Sequence, residues 1–228
     1  MLKKQVAEFI GVFALTFVGG GAIIVTSGQE LIAISLAHGL ILAVMVASLM
    51  HISGAQFNPA VSIALATRGK QSWSDAISFS IVQLLGGIAA AFLLKATMVP
   101  AFEFANSHIG ETLGRYSNAS EPDMLSAWRV LVLEGLATFF LMWVIMGVAV
   151  DGKNVKHNGI AALAIGGVVA ADIYCFGYAT GASMNPARSF GPALVVSDWT
   201  LHWCYWVGPI VGAALAAFVY DRVMGTGN

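Results

Sequence analysis

The sequence predicts an all-α membrane protein, with six transmembrane helices and two re-entrant half-helices arranged as an inverted repeat within one domain, 1–228. Three observations predict it. Of 228 residues, 58% are hydrophobic and 10% charged, against roughly 25% charged in a soluble domain. Uncharged runs long enough to cross a bilayer recur along the chain. A set of residues in the first half also returns in the second at nearly constant spacing.

The runs define the spans. Phe9 to Gln29 (21 residues), Ala76 to Leu94 (19) and Trp199 to Tyr220 (22) contain no Asp, Glu, Lys or Arg. Leu31 to Thr67 is also uncharged, but its 37 residues would make a helix of about 55 Å, nearly twice a hydrocarbon core of ~30 Å. It must hold a full span and a re-entrant piece. From His157 to Ser197 the only formal charges are Asp172 and Arg188, so the same division applies there. The expected spans lie near 5–27, 33–52, 75–98, 128–150, 159–178 and 202–223.

Threading six spans puts Lys3, Lys4, Arg68, Lys70, Lys153, Lys156 and Arg222 on one side. Basic residues near span ends favour the cytoplasm, so both termini are expected there. The other side carries Glu30, Glu103, Glu111, Glu121, Asp123 and Asp198 against Lys95, Arg115 and Arg129. The expected setting is multi-pass in the plasma membrane, or the vacuolar membrane if the source is a plant. Lys3 and Lys4 ahead of an apolar run also fit a signal peptide, but Glu8 interrupts the run and no small-residue cleavage site stands out.

Composition excludes several classes. Eleven basic and twelve acidic residues give a net charge of −1, with no basic patch for nucleic acid. Cys175 and Cys204 lie in apolar stretches and read as small packed hydrophobes. Metal-ligand clusters, nucleophile–base pairs and phosphate loops are missing from the sequence, so no catalytic residue, cofactor or metal is expected.

The repeat pairs Glu8 with Glu134 (offset 126), Gly39 with Gly166 (127), Gly54 with Gly181 (127), Asn58-Pro59-Ala60 with Asn185-Pro186-Ala187 (127) and Gly86 with Gly212 (126). Its halves run about 1–100 and 125–228. Three spans per half is an odd number, so the second copy enters from the opposite face. The two Asn-Pro-Ala segments then approach one another from opposite sides.

Pro at a first helical position loses no needed hydrogen bond, and Asn before it is a strong N-cap, so each tripeptide starts a half-helix at mid-membrane. Capping through the side-chain oxygen leaves each amide N–H free to donate, and Asn58 and Asn185 then face one spot at the pore centre. The approach segments, Ser53 to Phe57 and Gly181 to Met184, must hide their backbone from lipid by lining a wet cavity. Carbonyls of Gly54, Ala55, Gln56, Gly181, Ala182 and Ser183 would form an acceptor ladder, with Gly54 and Gly181 at the tight turns. A central water accepting from both amides has its hydrogens forced outward, which interrupts a proton wire. The two helix N-termini repel cations at the same point.

With SGAQFNPAV at 53–61 and SMNPARSFGPAL at 183–194, followed by HWCYWVGPIVGA at 202–213, the whole chain resembles the aquaporin (major intrinsic protein) family, most closely its tonoplast intrinsic branch. The resemblance implies a homotetramer with a pore in each subunit, passing water. It also implies an outer constriction at His38, Ile173, Ala182 and Arg188. Arg188, three residues past Asn185, lies on nearly the same helical face, so its guanidinium can reach the pore and oppose cations. A His, Ile, Ala, Arg set resembles tonoplast channels, which implies passage of ammonia, hydrogen peroxide or urea beside water.

Other residues carry two readings. Glu8 and Glu134 are proton relays or, as the family pattern implies, braces for the re-entrant segments. His51 lines an inner vestibule or packs as a core histidine. Asp172 either pairs with a neighbouring element or softens the field of the constriction. Phe102, in the segment Val99-Pro100-Ala101-Phe102, borders the pore mouth or folds onto apolar surface. Asn118-Ala119-Ser120 is a glycosylation sequon in the long outer loop. Gly86, Gly87, Gly208 and Gly212 suit close helix packing. Two other functions compete with a passive channel: an ion-coupled secondary transporter, which also uses inverted repeats, and a junction protein with a nearly closed pore.

Overall fold

A computed structural model describes residues 1–98, 101, 108–112, 114–115, 124–152 and 159–224. Val99, Pro100, Phe102, Glu103, the Asn118 sequon, Glu121, Asp123, Lys153 and Lys156 lie outside the described residues. The described chain forms α1 (Leu2–Val25), α2 (Leu31–Ser53), α3 (Pro59–Thr67), α4 (Trp73–Met98), α5 (Met124–Ile145), α6 (Ala161–Thr180), α7 (Pro186–Val196) and α8 (Cys204–Val223). A π-helical turn, Met146–Val150, continues α5.

Among the described residues, six helices are long and apolar enough to cross a membrane, at Leu2–Val25, Leu31–Ser53, Trp73–Met98, Ser126–Val150, Ala161–Thr180 and Cys204–Val223. They match the expected spans to within a few residues. The other two, α3 with 9 residues and α7 with 11, reach only about half of the ~30 Å core. Each of the two stretches too long for one crossing is thereby divided into a span and a half-helix.

Many large apolar side chains point outward. Ile32, Leu36, Leu40 and Val44 make an exposed stripe along α2, and Val207, Val211 and Leu215 make another along α8. Small residues fill the crossings instead, which lets backbones approach where lipid supplies no hydrophobic drive between helices. A methyl on Gly86 would lie 2.5 Å from the Phe9 carbonyl oxygen, and one on Gly208 would lie 2.8 Å from that of Leu131. Gly87 meets the Ala187 carbonyl and Gly212 that of Gly135 in the same way. Packing partners come in matching sets: α1 with α4 and α5 with α8, α4 with α7 and α8 with α3, and α2 with α6.

One end of the bundle is tied by polar contacts. Arg68 Nε lies 2.9 Å from Asp221 Oδ2 and Lys70 Nζ lies 3.5 Å from Oδ1. Gln5 donates to Ser78 at 2.5 Å. The start of α1, the end of α3, the start of α4 and the end of α8 therefore share that end, with Lys3, Lys4 and Arg222 on it.

Each re-entrant segment begins where a spanning helix stops. Gly54 (φ 91°) and Gly181 (φ 86°) cap α2 and α6 in the left-handed region, which costs glycine nothing. Ser53 still belongs to α2, so the first approach segment is one residue shorter than expected. Beyond the caps, Ala55 (50°), Phe57 (49°), Ala182 (45°) and Met184 (56°) also have positive φ. Such values are uncommon for non-glycine residues, and here they alternate with ordinary ones, so neither helix nor strand forms.

Candidate pore and its outer constriction

The half-helices start at the two Asn-Pro-Ala segments. Asn58 Oδ1 accepts from Ala60 N at 2.9 Å, and Asn185 Oδ1 accepts from Ala187 N at 3.0 Å and Arg188 N at 3.3 Å. The remaining half of each amide is used differently from the expectation. Asn58 Nδ2 donates to the Met184 carbonyl and Asn185 Nδ2 to the Phe57 carbonyl, both at 2.7 Å. Each asparagine therefore caps its own helix and holds the peptide ahead of the other. An amide nitrogen has two hydrogens, so one donor per asparagine remains rather than two.

Glu8 and Glu134, both fully buried, gather the approach segments. Glu8 Oε1 accepts from Ser53 Oγ (2.6 Å) and Gln56 N (3.0 Å), and Oε2 from Phe57 N (2.6 Å) and Gln83 Nε2 (2.8 Å). Glu134 Oε1 accepts from Thr180 Oγ1 (2.7 Å) and Ser183 N (3.0 Å), and Oε2 from Met184 N (2.9 Å). These bonds satisfy peptide N–H groups that no helix or sheet could satisfy. Neither glutamate is among the residues lining the cavity described next.

A cavity of about 130 Å³ runs past both caps. Its lining includes His38, Asn58, Asn185 and Arg188, together with Gly54, Ala55, Gln56, Phe57, Ser183 and Met184 of the approach segments. Val61, Leu141, Ile145, Ile165 and Val169 line its apolar side. A second cavity of about 260 Å³ includes Ile23, Glu111, Arg115, Ile173, Tyr178 and Gly181. Ile173 borders both cavities. Ala182, 2% exposed, is not among the residues lining either.

At the boundary, His38 Nδ1 lies 2.8 Å from the Ile34 carbonyl oxygen. A carbonyl only accepts, so Nδ1 carries the hydrogen and Nε2 presents a lone pair. Arg188 Nη2 lies 3.2 Å from that Nε2, and Arg188 Nη1 donates to the Gly110 carbonyl at 2.7 Å. The guanidinium is thus clamped between α2 and the loop at 108–112. His51, by contrast, is exposed and does not line the central cavity.

Several participants were not singled out from sequence. Gln83 bridges Glu8 and Ser62 Oγ (3.2 Å). An amide in the middle of an apolar span was the available signal. Gly110, with φ 84° against the backbone of Gly20, had none, because the loop carries no periodic pattern. Glu111 Oε2 accepts from Ile109 N at 2.8 Å and its Oε1 pairs with His108 at 2.5 Å, which shapes that loop. Thr112 and Ser189 hydroxyls meet at 2.7 Å, and Ser189 continues to Ser183. Asp172 is 4% exposed and away from the central lining, and its Oδ2 has no hydrogen-bond partner among the described residues.

Residues 1–220 match the Major intrinsic protein family. The chain is 40% identical over 230 residues to a probable aquaporin TIP1-2 of Oryza sativa subsp. japonica, covering 97% of this chain and 86% of that one. It is 37% identical over 226 residues to aquaporin NIP1-1 of Zea mays, covering 97% and 75%. Among solved structures, the aquaglyceroporin from Plasmodium falciparum superposes with a TM-score of 0.80 at 25% identity, over 98% of this chain and 96% of that chain. Fold and sequence together define an integral, multi-pass membrane channel protein. The chain belongs to the major intrinsic protein, or aquaporin, family.

Proposed function

We propose that the protein is a passive channel for water, with ammonia, hydrogen peroxide and urea as further small neutral solutes, and that it excludes protons and ions. The observation that carries this reading is the reciprocal pair of asparagine caps at the cavity wall. One remaining N–H on each of Asn58 and Asn185 meets the oxygen of a passing molecule. A water held by both turns its hydrogens toward the flanking residues Gly54, Ala55 and Gln56 on one side and Gly181 and Ser183 on the other, whose backbone carbonyls act as the acceptors. Neighbouring waters then point in opposite directions, and a proton has no continuous wire. The N-termini of α3 and α7 add partial positive charge there, and Arg188 adds a full one at the outer constriction with His38 and Ile173.

In this reading Glu8 and Glu134 are braces rather than relays, since their oxygens are occupied by approach-segment donors. The chain works as one unit of two inverted halves, about 1–100 and 125–228, assembled as a homotetramer with both termini cytoplasmic. Lys3, Lys4, Arg68, Lys70 and Arg222 at one end support that orientation.

Stopped-flow light scattering on proteoliposomes tests it. Osmotic shrinkage with a low activation energy, insensitive to ion gradients, is expected. Solute flux that saturates and follows an ion gradient would replace the channel by a coupled transporter. Absence of water flow from well-folded protein would favour a junction role.

A further inference from the structure

We propose that Gly19 on α1 is a positioning residue for the outer constriction: its bare backbone is the seat of the His38 ring, and a side chain there drives the ring into the passage and away from Arg188. The inference rests on the channel reading above and names a determinant of its solute selectivity.

Leu15, Gly19 and Ile23 fall on one stripe of α1 at intervals of four. Leu15 lines the central cavity and Ile23 the outer one. Between them α1 presents no side chain, and the wall is completed by His38 reaching over from α2. The fit is tight. A methyl built on Gly19 would overlap the Nε2 and Cδ2 atoms of His38 and lie 2.6 Å from Cε1.

The ring has little room to yield. Nδ1 is held by the Ile34 carbonyl at 2.8 Å and Nε2 faces Arg188 at 3.2 Å. Tilting it away from position 19 lengthens one or both bonds, and the open side is the cavity. The repeat offers an internal comparison. Offsets of 126 and 127 carry Gly19 to Ile145 and His38 to Ile165, and both of those side chains line the central cavity. In that half two aliphatic side chains share the wall, whereas here one ring occupies the space of both.

The experiment compares wild type, Gly19→Ala, His38→Ala and the double variant in proteoliposomes, reading urea and water permeability and, separately, thermal unfolding. Gly19→Ala is expected to lower the urea-to-water permeability ratio by roughly tenfold, since a displaced ring obstructs the larger solute more. In the H38A background, G19A should leave both the ratio and the unfolding midpoint unchanged, because no ring remains to be displaced. If Gly19→Ala alone does not fold, recovery of folded protein in the double variant supports the seat, and failure to recover overturns it. An unchanged ratio in Gly19→Ala, or the same change in both backgrounds, also overturns it. Wild type that passes no water would remove the channel reading, while the unfolding comparison would still decide whether Gly19 seats the ring.

Discussion

Asn58 Nδ2 donates to the carbonyl of Met184, 126 residues away in sequence, at 2.7 Å across the meeting point of two half-helices. With the return bond from Asn185 to Phe57, this contact locks the two helix tips together and fixes where the remaining amide hydrogens point. Asn58→Asp keeps the capping oxygen but removes the donor, leaving the buried Met184 carbonyl without this partner at a cost of about 1–3 kcal/mol. The expected outcome is reduced water flow together with a cation leak, because a carboxylate now faces the helix tips. Voltage-clamp conductance of oocytes expressing the variant checks it, and an unchanged conductance would count against the role given to the amide.

Glu134→Gln turns one acceptor toward a donor. Two peptide N–H groups, of Ser183 and Met184, and the Thr180 hydroxyl share the carboxylate, and an amide cannot accept on both ends. A buried unsatisfied N–H costs about 1–3 kcal/mol, so the unfolding midpoint of the detergent-solubilised variant should fall by several degrees.

Arg188→Val removes the clamp to His38 and Gly110 and the fixed charge with it. Urea permeability should rise relative to water. Stopped-flow permeabilities of the two solutes on one preparation measure the ratio, and an equal change in both would detach Arg188 from selectivity.

Asp172→Ala should leave water flow unchanged and raise the unfolding midpoint. Asp172 is off the central lining and its buried Oδ2 has no donor, so removing the carboxylate relieves a desolvation cost of roughly 1 kcal/mol or more. Thermal unfolding beside osmotic flux reads both halves of the expectation.

Much of the fold was legible because bilayer thickness converts directly into sequence length: uncharged runs set the spans, and runs too long for one crossing set α3 and α7. Pro59 and Pro186 after asparagines marked the half-helix starts through local chemistry alone. The contact between Asn58 and Met184 was not legible, since it joins residues brought together only by the tertiary fold. Gly110 holds Arg188 through a backbone carbonyl, which any residue type possesses, so its identity announced nothing. Gly19 gave no signal in the sequence, because only the placed His38 ring reveals what its missing side chain leaves room for.

In the proposed channel, flow past Asn58 and Asn185 is neutral and proton-tight. Proteoliposomes carrying an internal pH-sensitive dye, subjected in turn to an osmotic step and a pH step, read both properties on one preparation. Fast shrinkage with a low activation energy is expected, with a proton permeability no higher than that of empty vesicles. Proton equilibration that speeds up in proportion to the water flow would rule the channel's proton barrier out.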